Sequence, residues 1–243
     1  MNRDISWPRI LAEGAASVAR ILLAFAIEAQ WQNYLSRTEE KSVLSSVREE
    51  IDINLDTLDK QRFYHESIVS VIKKLFSASD GIVSLNPNDL DGLILEVTFW
   101  ARSGFAMGAI DSLSQGSSFL SVDDIELRAK LIDLQTLYRW VDEMERREEN
   151  YSTGYLNPFL ARNAFLPQIA SSTTAQYAGV ITKPTGGWAK GEGADHTHLL
   201  DNDEFLGMLV QEKWNHEDTI QNFDLLKSLM LEVRSMIDIR LRD

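Results

Sequence analysis

The chain has 243 residues, no cysteine, and 37 acidic against 24 basic side chains, for a formal net charge of −13. That length allows one large domain with a sizeable core, and the missing cysteines exclude disulfides, thiolate metal sites and cysteine nucleophiles. The acidic balance argues against nucleic acid as a partner, because phosphate recognition needs clustered Lys and Arg.

The first predicted element is Ile10 to Ile27, ILAEGAASVARILLAFAI, the most apolar stretch of the chain. Its eighteen residues reach about 27 Å as a helix, close to the roughly 30 Å hydrocarbon core of a bilayer. Residues 1–35 therefore read as an N-terminal membrane anchor, with the lipid bilayer as its first partner. Glu13, Ser17, Arg20, Ala24 and Glu28 fall on one narrow face of that helix. Charges inside a membrane face protein or water, so this face is expected to join a homo-oligomer or a membrane-protein partner. Trp7, Trp31 and Tyr34 stand at the two ends, where amphipathic rings favour the membrane interface. Arg3 and Arg9 precede the segment and point to a cytoplasmic N-terminus with the main domain on the far side. Three other readings fit the same stretch: a cleaved signal peptide using Ala24-Phe25-Ala26, an amphipathic helix lying on a surface, and a core helix of a soluble cytosolic bundle.

Residues 36–243 read as an acidic helical domain, giving a mainly α chain in which the anchor runs into a long amphipathic helix and then a helical bundle. Ser36 to Phe76 has no Pro or Gly and carries Val43, Leu44, Val47, Ile51, Leu55, Leu58, Phe63, Val69 and Ile72 at helical spacing, without a strict heptad. Asp80-Gly81 and Asn86-Pro87 are turn chemistry, and a second helical region follows from about Leu90. Ser121 to Asp124 resembles an N-cap for a helix reaching about Asn150. Composition then shifts, and residues 151–200 read as a loop-rich insert with a short hairpin within 172–182. Helical signal returns from Asp201, with His216-Glu217-Asp218 as the start of a last helix.

The run Ile21-Leu22-Leu23-Ala24-Phe25-Ala26-Ile27-Glu28-Ala29-Gln30-Trp31 resembles a family of bacterial membrane-anchored proteins grouped as a domain of unknown function. Glu49-Glu50-Ile51, a central block from Ile110 to Leu131, and Asn202-Asp203-Glu204-Phe205 extend the likeness, while Arg20 and Gln30 depart from it. The resemblance implies a single-pass inner-membrane protein with an extracytoplasmic helical domain, and it transfers no catalytic residue.

Candidate chemistry is sparse. Asp195, His196 and His198 form the one histidine cluster close in sequence, and imidazoles beside carboxylates suit a divalent metal or a metal-dependent hydrolase. His65 stands alone on the long helix as a surface or partly buried side chain. The glycines of 186–193 lack the GxxxxGK[ST] pattern of a phosphate loop, and no G-x-S-x-G elbow occurs. No cofactor is expected, and the reading that remains is a non-enzymatic interaction or assembly subunit.

Overall fold

The computed structural model describes residues 7–115, 122, 124–164, 166–171 and 195–242, and among the described residues there is no strand. α1 is one continuous helix, Trp7–Ser79, whose 73 residues reach roughly 110 Å at about 1.5 Å each. Pro8 sits in its first turn, where a missing N–H leaves nothing unsatisfied. The helix stops at Gly81, which adopts φ +70° and lets Ile82 N–H reach the Ser77 carbonyl at 2.9 Å while its own N–H reaches Ala78 at 3.1 Å. These paired bonds close the last turn as a Schellman cap, a conformation that glycine adopts without strain.

The chain then forms α2 (Pro87–Val97), α3 (Gly108–Gln115), α4 (Ile125–Tyr151), a π turn (Ser152–Leu156), α5 (Asn157–Asn163), α6 (Leu166–Ser171), a 3-10 turn (Thr197–Leu199) and α7 (Asp203–Arg242). Side-chain caps open three of the helices: Asn86 accepts from Asp89 N–H, Asp124 from Glu126 and Leu127 N–H, and Asn202 from Phe205 N–H. The π turn has a covalent cause. Pro158 has no N–H for the carbonyl four residues earlier, and the widened turn is bridged by Asn157 N–H to the Ser152 carbonyl. Much of 151–171 is therefore helical, while the expected hairpin within 172–182 and the glycines of 186–193 lie outside the described residues.

α1, α4 and α7 form the frame. Glu40 pairs with Arg240, Arg48 with Asp238 and Arg62 with Asp224, so α7 runs antiparallel to α1. Lys130–Glu232 at one end and Glu148–His216 at the other set α4 antiparallel to α7 as well. The return between the two parallel helices is held by α1: Glu50 accepts from the N–H groups of Ala109 and Ile110, and Asn54 clamps both backbone groups of Ala106.

The buried stripe of each frame helix is a heptad seam in alternating steps of four and three. On α1 it reads Leu44, Val47, Ile51, Asn54, Leu58, Gln61, His65, Ile68, Ile72 and Leu75. α4 contributes Leu127, Leu131, Leu134, Tyr138, Val141, Glu145 and Glu148. α7 contributes Phe205, Leu209, Glu212, His216, Thr219, Phe223, Leu226, Met230, Val233 and Ile237. The repeat on α1 is hidden from an apolar count because Asn54, Gln61 and His65 occupy three of its positions. His65 is fully buried, deeper than the surface or partly buried placement expected for it, and His216 lies inside α7 instead of opening a helix.

Apolar packing divides into two clusters along this frame. One gathers Leu44 to Leu58, Leu127 to Val141 and Phe223 to Ile237, with Ile110 and Leu113 of α3. The other gathers Tyr64 to Leu75, α2, Leu156 to Leu160 and Phe205 to Leu209. Between them lies a layer of polar side chains.

The membrane-anchor expectation does not survive. Among the described residues no helix is long and apolar enough to cross a membrane. The apolar stretch is interrupted by Glu13 and Arg20 and is followed at once by Glu28, Gln30 and Gln32. The transmembrane element of the fold and the single-pass inner-membrane placement, with its two-sided orientation, are withdrawn with it.

Candidate metal centre

The polar layer comes from heptad positions of all three frame helices. α1 supplies Gln61 and His65, α4 supplies Glu145 and Glu148, and α7 supplies Glu212 and His216. A step of three or four residues puts both members of each pair on one helix face. Antiparallel packing brings the three faces to one level. His65, Glu148, Glu212 and His216 are all 2% exposed or less.

His65 Nδ1 and His216 Nδ1 face each other at 2.7 Å. An imidazole pair at that distance shares one proton, donated by one ring to the lone pair of the other. Glu148 reaches both rings, with Oε1 3.2 Å from His216 Nδ1 and Oε2 3.6 Å from His65 Nδ1. One ligand atom from each of His65, Glu148 and His216 lies within 4.8 Å of the other two, the one such gathering among the described residues. Aromatic edges close the surroundings: Tyr64 and Phe223 both stand edge-on to His65, at 5.3 and 5.4 Å between centroids.

Burial dominates the electrostatics, because loss of water disfavours the charged form of each group. Burial pushes Glu212 up to about 8 and Glu145 up to about 7, the latter against hydrogen bonds donated by Ser103 N–H and Oγ–H. Glu148 is held well above the usual carboxylate range by burial, then by the nearby Glu212 and Glu145. His216 is pushed down to about 3 and His65 well below its usual value, again by burial first. Both carboxylate oxygens of Glu148, His65 Nε2 and Gln61 Oε1 are buried without a hydrogen-bond partner among the described residues, while the Asn215 side chain stands beside Glu212. Orphaned polar atoms are rare in native interiors, and so many in one layer mark a site that takes up protons or a cation.

The residues singled out by sequence lie elsewhere. His196 is buried, with Nδ1 2.6 Å from Asp91 Oδ1, and Gln168 donates to the other Asp91 oxygen at 2.7 Å. Asp195 is exposed and accepts from Thr197 N–H, starting the 3-10 turn. His198 turns away, its ring nitrogens 3.0 Å from the Asp195 carbonyl and 2.9 Å from the Asn163 carbonyl. These three do not pool their ligand atoms. Within the proposed interaction face Arg20, Ala24 and Glu28 are exposed, and Gln32 donates to Glu28. Trp31 and Tyr34 are exposed and stacked at 6.0 Å, while the side chains of Trp7, Glu13 and Ser17 lie outside the described residues. The signal that reveals the buried centre is the set of polar residues at heptad positions, Gln61-x-x-x-His65, Glu145-x-x-Glu148 and Glu212-x-x-x-His216.

No family model, curated protein or solved structure matches the chain. The resemblance to a single-pass membrane-anchored family is withdrawn, since neither a family match nor a spanning helix upholds it.

Proposed function

We propose that the protein is a non-enzymatic assembly subunit whose bundle carries a projecting helix that associates with further copies of itself. The observation behind this reading is the state of α1 before Glu40. Val18, Ile21, Leu22, Leu23, Phe25, Ile27, Trp31, Tyr34 and Leu35 are between 49% and 67% exposed, although they belong to the same helix that packs tightly from Glu40 onward. A contiguous apolar surface of that extent marks an interaction site.

Its geometry favours several neighbours. At 100° per residue, Val18, Ile21, Leu22 and Phe25 share one face, and Leu23, Ile27, Trp31 and Tyr34 share the opposite one. A single partner covers one face only, so the arrangement suits a helical cluster of more than two copies. Arg20 lies within the second face, between Ile27 and Trp31, and the row Arg20, Ala24 and Glu28 runs from there across the border toward the first. Antiparallel neighbours centred on Ala24 set Arg20 of one copy opposite Glu28 of the next, which makes this row self-complementary.

Native mass spectrometry of the full chain tests this. Discrete oligomers are expected for the wild type, with a shift to monomer on Leu22→Asp with Phe25→Asp and no loss of helix by circular dichroism. Arg20→Glu weakens the oligomer and adding Glu28→Arg restores it. A wild type that remains monomeric at every concentration would sink the reading.

A further inference from the structure

We propose that His65, His216 and Glu148 bind one first-row divalent metal ion, zinc being the first candidate, in the polar layer where α1, α4 and α7 meet. The donor set selects the class of ion. Two imidazoles and a carboxylate suit zinc, iron(II) and their neighbours, whereas calcium and magnesium take oxygen ligands. His65 Nδ1 and His216 Nδ1 stand 2.7 Å apart, with Glu148 oxygens 3.2 Å from the one on His216 and 3.6 Å from the one on His65, inside the compass of one ion with bonds of about 2.0–2.2 Å.

Charge supplies the second line of argument. Among the described residues neither carboxylate oxygen of Glu148 has a hydrogen-bond partner. Buried carboxylates without a cation have to hold protons. One divalent ion offsets two ionised carboxylates and leaves both imidazoles neutral. Glu212 sits one turn before His216 on the same buried seam and supplies the second carboxylate of the layer. The ion takes the place of the proton shared between the rings. Their 2.7 Å separation is shorter than the roughly 3.3 Å ligand edge around a tetrahedral zinc, so the rings part by about half an ångström on binding.

With its protein ligands almost wholly buried, the ion has a structural role, tying the three frame helices together between the two apolar clusters. This role stands apart from the assembly reading, which rests on the other end of α1. Uptake and oligomer mass are separate measurements, and either can fail alone.

The test uses the full chain stripped with a chelator and then titrated with Zn(II), or with Co(II) as a visible reporter. The expected result is one equivalent bound, Co(II) ligand-field bands of low coordination number, and hyperfine-shifted resonances from two imidazoles. His216→Gln and Glu148→Gln lose the bands and the stoichiometric ion, while His198→Gln keeps both. The imidazole count on the wild type holds even where a ligand variant fails to fold. No uptake by the wild type overturns the proposal and leaves a cluster that shares protons only. Uptake that survives His216→Gln and Glu148→Gln but disappears in His198→Gln overturns it in favour of the Asp195 segment.

Discussion

The molecule holds two pairs of histidines that behave in opposite ways. His196 and His198 are two residues apart, yet one is buried on Asp91 and the other lies exposed against main-chain carbonyls. His65 and His216 are separated by 151 residues, yet their ring nitrogens meet at 2.7 Å beside a shared carboxylate. The difference lies in what positions each ring. A short loop spends its polar groups on local backbone, as Asp195 does in capping the 3-10 turn. Long antiparallel helices bring distant residues to one level, and a heptad seam aims each of them inward. Convergence of ligand atoms is therefore a property of the bundle and not of neighbourhood in the chain.

The contrast can be broken most forcefully at the buried pair. His216→Ala opens a cavity and removes a partner from a layer already short of partners, at a cost of about 3–5 kcal/mol. A urea titration in chelator is expected to show the midpoint falling accordingly. Replacing His65, Glu148 and His216 together by Leu makes the seams apolar at those positions. That triple variant is expected to be at least as stable as the metal-free wild type, by up to about 4 kcal/mol, because buried polar groups give way to hydrophobic contacts. A triple variant weaker than His216→Ala alone would mean that the layer is not the weak level of the bundle.

At the other pair the expected effects are smaller and unequal. His196→Ala removes a partner from the buried Asp91, which keeps the bond from Gln168, and costs about 1–3 kcal/mol. His198→Gln, exposed, costs about 0.5 kcal/mol or less. Neither substitution is expected to alter the response to zinc, which the same titrations with and without the ion would record.

Much of the frame was legible in the sequence. The long helix from Ser36, the turn at Asp80-Gly81 and the acidic cap before α4 follow from periodicity and turn chemistry, and all are present. The heptad on α1 was not legible, because Asn54, Gln61 and His65 break the apolar pattern at positions that packing nevertheless buries. The same substitution of polar for apolar hid the centre: Glu145 and Glu148 sit among Glu143, Arg146, Arg147 and Glu149, and only three-dimensional packing separates the buried carboxylates from the solvated ones. The apolar segment before Glu28 misled in the other direction, since composition alone does not distinguish a spanning helix from one that projects from a bundle.

The protonation of the layer gives the most direct test. Glu145, Glu148 and Glu212 titrate higher in the folded chain than unfolded, so the folded state holds more protons and stability falls as pH rises from about 4.5 toward about 8. His65 and His216 titrate lower than unfolded, so their contribution is complete above about 6.5 and is lost only as pH falls. Between about pH 6.5 and 8 the carboxylates act alone, and the metal-free chain is expected to lose on the order of 2 kcal/mol. A bound ion reverses this trend, because its ligands bind it in the deprotonated form. The decisive measurement is the melting temperature of the full chain across that pH range, in chelator and in zinc. A chelated curve that falls while the zinc-loaded one stays level or rises, so that the gap widens with pH, is the expected result. Curves that superimpose at every pH would contradict a metal centre in the bundle.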